Sequence, residues 1–336
     1  MVIQTKLNKV YFDPIKEEEY FYHNGKLITA GGKSVSIINN IPRFVDSNNY
    51  ARNFGSQWNK FRKVQLDSFT GSSHSENRLA SCLNSNLQIL ESKKILEAGC
   101  GAGRFTEILL KYGGIVHAFD YSNAVEACMA NNSSNPNFSV AQADIRSMPY
   151  KKNEYDYVFC LGVLQHTPNP EKSLKYLYEM IKPGGTLCID HYLFKFRNIL
   201  PPPIGVAEVI YRWLILRLHH KVRYRVVKKI VSFWFPIHWK FRKILLIQRL
   251  LRRFSPVHFY YSNIELSGYN EYYQWALLDT HDGTTDKYRH HRSIKSIRKT
   301  LEKLGLENVV VKLGGNGVEA VCTKPLVTKN SYNETF

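Results

Sequence analysis

The sequence predicts an α/β fold: an open, mostly parallel sheet with helices on both faces, preceded by a small β-rich module and interrupted late by a basic helical insert. Three observations carry this expectation. Between residues 93 and 192, apolar or alternating runs (Ile115–Asp120, Asn137–Val140, Tyr155–Leu161, Thr186–Tyr192) are separated by stretches of helical period such as Leu174, Leu177 and Ile181, and strands that alternate with helices pair in parallel. The first strand, Ile95-Leu96-Glu97-Ala98, ends beside an acid and runs into Gly99-Cys100-Gly101-Ala102-Gly103. Near the end, Asn308–Leu313 and Val318–Thr323 flank Gly314-Gly315-Asn316-Gly317, the pattern of an antiparallel hairpin.

In such sheets ligands bind beyond the carboxyl ends of the strands. Glu97, Asp120, Asp144 and Leu161-Gly162 all fall at predicted strand ends, a convergence that core packing does not require. The glycine spacing then separates two kinds of ligand. A dinucleotide turn needs GxGxxG, and its third glycine would fall at Arg104; this chain has GxGxG instead. With no pyrophosphate to seat, the backbone N–H groups of the turn suit a smaller anion such as an amino-acid carboxylate. Asp120, at the tip of the next strand, stands where a ribose diol is held.

These residues resemble a known family. Glu97-Ala98-Gly99-Cys100-Gly101-Ala102-Gly103 is similar to motif I of class I S-adenosylmethionine-dependent methyltransferases, and Asp120 matches that family's ribose-binding acid. Ala143-Asp144-Ile145 looks like its adenine-contacting turn, Tyr155–Phe159 like its strand four, and Ile181-Lys182-Pro183-Gly184-Gly185 like the turn before strand five. The resemblance implies a Rossmann-like seven-stranded sheet with S-adenosylmethionine as cofactor. It also implies a cofactor site formed by Glu97, Gly99, Cys100, Gly101, Gly103, Asp120, Tyr121, Asp144, Ile145 and Leu161. Glu97 would hold either the turn or the methionine amino group, and Asp120 would accept both ribose hydroxyls.

Taken in order, residues 1–49 form the β-rich module, with short strands at Tyr20–Tyr22, Lys26–Thr29 and Val35–Ile38 and a hairpin signal at Asn24-Gly25. It resembles a module that precedes some bacterial methyltransferases and is often a zinc ribbon; this one has no cysteine, so no metal is expected. Residues 50–92 turn to helical period, with Tyr50, Phe54, Trp58 and Phe61 on one face and Leu79, Leu83, Leu87 and Leu90 on another. Trp58 is expected in the core, and Arg78 is left between an ion pair and a carboxylate ligand. The stretch from Phe54 to Arg78 is similar to the preamble of methyltransferases of bacterial polysaccharide and secondary-metabolite pathways, which implies a helical cover over the cofactor. Residues 93–192 are the Rossmann-like core.

Residues 193–262 are the insert. Between Lys195 and Arg253, fifteen Lys and Arg face a single acid, Glu208, interleaved with Trp213, Trp234 and Trp239. Val206–Leu218 and Trp239–Leu251 have helical length. Basic amphipathic helices of this kind suit a membrane surface or a lid over an anionic substrate; a subdomain with a solvated face is the plainer alternative. In residues 263–326, Gln274–Asp282 followed by Tyr288 resembles the LDTxD…Y signature of the polysaccharide-type enzymes, although Arg289 and His291 stand where that pattern has an acid and a proline. A helix at Ser293–Leu304 and the hairpin follow, and 327–336 is a polar tail.

Composition narrows the function classes. A hydrophobic content of 44% excludes a disordered chain, and a net charge of +18 calls for an anionic partner. The cysteines, Cys82, Cys100, Cys128, Cys160, Cys188 and Cys322, have no CxxC pairing, which favours reduced core thiols in the cytosol. Without a secretory pattern at Met1–Lys6 or a run of ~18 uncharged apolar residues, the expected location is cytoplasmic, with attachment to the inner face of the membrane left open. No His and carboxylate constellation points to a metal, so magnesium-dependent transfer is not expected.

The leading expectation is methyl transfer to a small-molecule or lipid-linked, anionic acceptor, such as a sugar, most readily at oxygen. An alcohol must lose a proton, so a base is needed, and His166 and His191 are the candidates. Asp279, His281, Asp282 and Tyr288 are candidates for the acceptor pocket. The alternative is an RNA (tRNA) methyltransferase that uses the basic insert for binding. Against it, strand four ends in Cys160-Leu161-Gly162-Val163 and lacks the Asn/Asp-Pro-Pro-aromatic signature of enzymes that methylate base amines.

Overall fold

The computed structural model describes residues 10–46, 49–262 and 264–326; Met1–Lys6 and the tail from Val327 lie outside them. The N-terminal module holds β1 (Phe12–Asp13), β2 (Glu18–Glu19), β3 (Phe21–His23), β4 (Lys26–Ile28), β5 (Ser34–Ile38) and β6 (Ile41–Pro42). Three helices follow: α1 (Arg52–Lys60), α2 (Asp67–Thr70) and α3 (His74–Leu83). The core runs β7 (Lys94–Ala98), α4 (Arg104–Lys111), β8 (Ile115–Asp120), α5 (Val125–Asn132), β9 (Phe138–Gln142), β10 (Tyr155–Cys160), α6 (Pro170–Met180) and β11 (Ile181–His191). The insert contributes α7 (Glu208–Ile215), α8 (His220–Lys240) and α9 (Leu245–Leu251), and the chain continues through α10 (Tyr269–Thr285), α11 (Ile294–Lys303), β12 (Glu307–Gly314) and β13 (Gly317–Thr323).

The seven-stranded sheet has the order β12-β13-β11-β10-β7-β8-β9. Strands β7 to β11 pair in parallel, and β13 runs antiparallel to both β11 and β12. Apolar side chains pack on both faces of the sheet, including Leu96, Val158 and Ile189 in one cluster and Ile95, Val116 and Phe159 in another. That division follows from the two-residue period of strands buried on both sides. Local signals fix the helix starts. Asn169 accepts the Lys172 N–H at 3.0 Å and Pro170 opens α6, while Ser293 accepts the Ser296 N–H at 3.1 Å and opens α11.

The β module is docked on the sheet edge. Asn24 and Gly25 have φ of +46° and +78°, as a two-residue hairpin turn of primed type needs. Phe44 N–H donates to the Gln142 carbonyl at 2.8 Å, Arg43 and Gln142 form a parallel bridge, and the Tyr11 hydroxyl donates to the Val140 carbonyl at 3.2 Å. The module thereby covers β9, whose backbone would otherwise be an open edge.

The insert corrects two helix expectations. The run expected to be helical from Trp239 to Leu251 is broken at 241–244, because Gln248 turns its amide back and donates to the carbonyls of His238 and Phe241 at 2.9 and 3.0 Å, capping α8. The helix read from Val206 to Leu218 is confined to Glu208–Ile215. Val227, Val231 and Phe235 of α8 pack with Tyr272, Ala276 and Leu277 of α10 and with Phe61, so the insert has its own apolar core. Trp234 and Trp239 are packed into it, whereas Trp213 is exposed with the Arg217 guanidinium 3.5 Å from its ring. Among the described residues no helix is long and apolar enough to cross a membrane, and no cluster of potential metal ligands is present. All six cysteines are buried and free.

Candidate active site

A cavity of about 870 Å³ opens at the carboxyl ends of the strands, within the size range of ligand sites. Its floor is the loop between β7 and α4. Gly99 and Gly103 have φ of +79° and +86°, and a Cβ on them would lie 2.3 Å from Val163 Cγ2 and from Asn132 Nδ2 respectively, so only glycine fits both backbone and space. The Gly101 N–H donates to Asp120 Oδ2 at 3.1 Å. The other Asp120 oxygen accepts the Ser122 N–H and hydroxyl, both at 2.7 Å. Burial pushes the Asp120 carboxyl up, and these hydrogen bonds oppose it. The carboxylate therefore faces the loop at the strand end and makes no ion pair there among the described residues.

Of the residues expected at the cofactor, Gly99, Cys100, Gly101, Asp120, Tyr121, Asp144, Ile145 and Leu161 line this cavity. Glu97 and Gly103 do not. Glu97 is 3% exposed and accepts the Thr106 hydroxyl at 2.5 Å. Its side chain is tucked beneath the turn, where burial pushes its pKa up to about 8 against the Thr106 bond. It therefore supports the turn from beneath and does not itself line the cavity. Asp144 lines the wall but pairs with Arg146 at 2.6 Å. Trp58, expected in the core, packs against the insert's apolar core and also lines the cavity, its ring 3.4 Å from where a Gly101 Cβ would stand.

The two candidate bases part company. His191 is buried outside the cavity wall; its neighbour Asp190 faces two residues of that wall, accepting the Gly162 N–H at 2.5 Å and pairing with Arg78, and strand side chains alternate, so His191 points the other way. Burial pushes its pKa down to about 4. His166 lies in the cavity wall. Its Nδ1 is 3.4 Å from Asp286 Oδ2 and 3.3 Å from the Tyr288 carbonyl, both acceptors, which places the proton on Nδ1. Its Nε2 is 3.3 Å from the Tyr192 hydroxyl and 4.0 Å from Asp282 Oδ2. Burial disfavours the charged ring, but the Asp286 hydrogen bond and the charges of Asp282 and Asp286 outweigh it, leaving the pKa above the ordinary histidine value.

Asp286 is fully buried and receives Arg212 Nε at 2.7 Å and Arg289 Nε at 3.0 Å. Arg289 also reaches Glu208 at 2.8 Å, so this network ties α7 of the insert to the end of α10. Asp279 and Asp282 line the cavity, whereas His281, bonded to Gln57, and Tyr288 do not. Burial raises the Asp282 carboxyl to about 6, and its Oδ1 has no partner.

Sequence reasoning gave no role to Gln165, Asp286 or Arg104. Gln165 is 1% exposed with both amide atoms unpartnered in the cavity wall. Arg104 lines the wall too, donating to Gln65 Oε1 at 2.7 Å and Ser75 Oγ at 3.2 Å, with one guanidinium nitrogen unpartnered. Only Asp286 had a sequence signal: it lies four residues after Asp282, on the same helical face.

These residues fit a charged nucleoside. A glycine floor, a carboxylate at the second strand tip, and an orphaned amide and guanidinium in the wall are groups that a sulfonium nucleoside with an amino-acid tail would satisfy.

Parts of the chain are similar to known proteins. Residues 96–189 match the methyltransferase domain family. The chain is 30% identical over 127 residues to the ubiquinone biosynthesis O-methyltransferase of Coxiella burnetii, covering 37% of this chain and 54% of that protein. It is 31% identical over 144 residues to the enzyme of that name from Hydrogenovibrio crunogenus, covering 42% and 59%. The chain thus spans little more than half the length of these relatives. A SAM-dependent methyltransferase structure from Aquifex aeolicus overlaps 80% of this chain and 97% of its own at a TM-score of 0.42 and 17% identity. The glycine floor, the acid at the second strand tip and the matched segment together identify residues 96–189 as a class I S-adenosylmethionine-dependent methyltransferase domain.

Proposed function

We propose that this chain is an O-methyltransferase that methylates a hydroxyl of a small-molecule or lipid-linked acceptor, with His166 as the base. The observation that carries the reading is His166 in the cavity wall, with Nδ1 directed at Asp286 and Nε2, the acceptor of the Tyr192 hydroxyl, beside Asp282. Asp120, the loop at Gly99–Gly103 and Gln165 would hold S-adenosylmethionine, which supplies an electrophilic methyl group on a positively charged sulfur. No protein nucleophile is then required. The chain's own work is to position the acceptor, exclude water and remove one proton.

Asp286 fixes the tautomer: its carboxylate faces Nδ1–H, so Nε2 carries the lone pair. When Nε2 takes the hydroxyl proton, the imidazolium lies between Asp286 and Asp282, and both charges favour it. Tyr192, whose ring is edge-on to His166 at 5.4 Å, and Phe54 at 5.2 Å pack the imidazole in place. The names of the relatives, which methylate oxygen, support the same class of atom.

The test is formation of S-adenosylhomocysteine with a panel of hydroxylated and amine acceptors, comparing wild type with His166→Ala. Turnover restricted to hydroxyl acceptors and lost in the variant supports the reading. Turnover on amines that the variant retains overturns it.

A further inference from the structure

We propose that the surface formed by residues 194–204 and 244–254 docks on an anionic phospholipid bilayer, with the cavity mouth opening beside it. The helix α9, Leu-Leu-Ile-Gln-Arg-Leu-Leu, buries none of its residues, and Leu246 is 74% exposed. A surface helix of a water-soluble protein turns its apolar stripe inward; this one turns it out. Phe196 and Ile204, 63% and 61% exposed, stand on the neighbouring segment. The two segments are joined by Ala207 N–H donating to the Arg252 carbonyl at 3.1 Å and Val206 N–H to the Leu200 carbonyl at 3.0 Å.

Cations are interleaved with this apolar surface. Lys195, Arg197, Lys243, Arg249, Arg252 and Arg253 are exposed. Of the insert's Lys and Arg, among the described residues, only Arg212 pairs with a carboxylate, and the single acid, Glu208, is occupied by Arg289 and His258. Aliphatic side chains set among unpaired cations match a bilayer whose headgroups are anionic and whose interior is apolar. RNA would use the cations but gives aliphatic leucines nothing to bind, since its recognition relies on stacking and phosphate contacts.

Lys195, Asn198 and Arg252 belong both to these segments and to the wall of the cavity. An acceptor held in the bilayer would enter between them. That last step rests on the O-methyltransferase reading; the docking itself does not.

The experiment is flotation of the full chain with vesicles of phosphatidylcholine alone and with vesicles in which half the lipid is phosphatidylglycerol. It is run on wild type, Leu245→Asp/Leu246→Asp and Lys243→Glu/Arg249→Glu, all at exposed positions. S-adenosylhomocysteine binding is measured on the same samples. Wild type is expected to partition to anionic vesicles at least about tenfold more than to neutral ones, and to be released by salt. Each double variant should lose at least about tenfold while binding S-adenosylhomocysteine as wild type does. Three results overturn the docking: no vesicle binding by wild type, equal binding by all three proteins, or a leucine patch that makes a dimer in light scattering while vesicles are ignored. Salt-sensitive tRNA binding that the charge variant loses, without vesicle binding, would assign the surface to RNA. Lost S-adenosylhomocysteine binding with vesicle binding intact would instead count against the catalytic reading and leave the docking standing.

Discussion

Replacing Asp286 with Asn tests the arrangement that makes His166 a base. The substitution keeps the shape and removes a charge whose side chain is fully buried and lies between Arg212 at 2.7 Å and Arg289 at 3.0 Å. Breaking a buried ion pair by neutralising one partner costs ~3–5 kcal/mol. Arg289 keeps Glu208 at 2.8 Å, and Arg212 keeps the Asp286 carbonyl at 2.8 Å, so the lower end, about 3 kcal/mol, is expected. In urea that is a fall in midpoint of roughly 1 M. The pH dependence supplies a second readout. Burial pushes the Asp286 carboxyl up, but His166, Arg289 and Arg212 outweigh it and hold it below the ordinary range. Its contribution is therefore present above the unfolded carboxylate pKa and lost as pH falls through the depressed folded value. His166 has the opposite sign. Its folded pKa is raised, so its contribution is present below the unfolded histidine pKa and fades as pH rises through the folded one. In Asp286→Asn the decline in stability above about pH 6.5 should flatten. A variant as stable as wild type, with the same pH profile, would refute this assignment.

Other predictions follow from single contacts. Gly99→Ala should cost about 2–4 kcal/mol, from a left-handed backbone and a Cβ 2.3 Å from Val163; adding Val163→Ala should restore the steric part only, as read by thermal unfolding. His166→Ala should lower kcat by about 10²–10⁴ while calorimetry shows unchanged S-adenosylhomocysteine affinity. Asp282→Asn removes a charge that favours the imidazolium, so the acid limb of kcat/KM should move to lower pH; a limb that stays put would separate His166 from the rate.

Much of the sheet was legible because its signals are local: alternating apolar strands, glycines at positive φ, and acids at or just past the ends of β7, β8 and β9. The closing hairpin was legible for the same reason, its glycines marking the turn. Directions of side chains were less so. His191 and Asp190 are neighbours in sequence, and a one-residue offset in a strand reverses the face; apolar residues on both faces of β11 gave no clue to which would meet the cavity. Glu97 sits at a strand end, yet Thr106, nine residues on, draws it beneath the turn. The place of Trp58 on an amphipathic face predicts its packing against the insert's core, but not that the same ring covers the glycine loop. In the insert, the break after α8 depends on Gln248 reaching back to His238 and Phe241, a cap of too long a range for any start or stop signal. The His166–Asp286 pair joins residues 120 apart in sequence; it forms because His290 N–H bonds to the Gln165 carbonyl at 3.0 Å and Arg292 N–H to the Tyr192 carbonyl at 2.8 Å.

The most direct measurement is calorimetric binding of S-adenosylhomocysteine to wild type and to Asp120→Ala. The carboxylate at the tip of β8 is read as a ligand group for the ribose, and losing a hydrogen bond to a charged group costs ~1.5–3 kcal/mol. Wild type should therefore bind, and Asp120→Ala should bind at least about tenfold more weakly. Equal affinity in the two proteins, or no binding by wild type, would contradict the site.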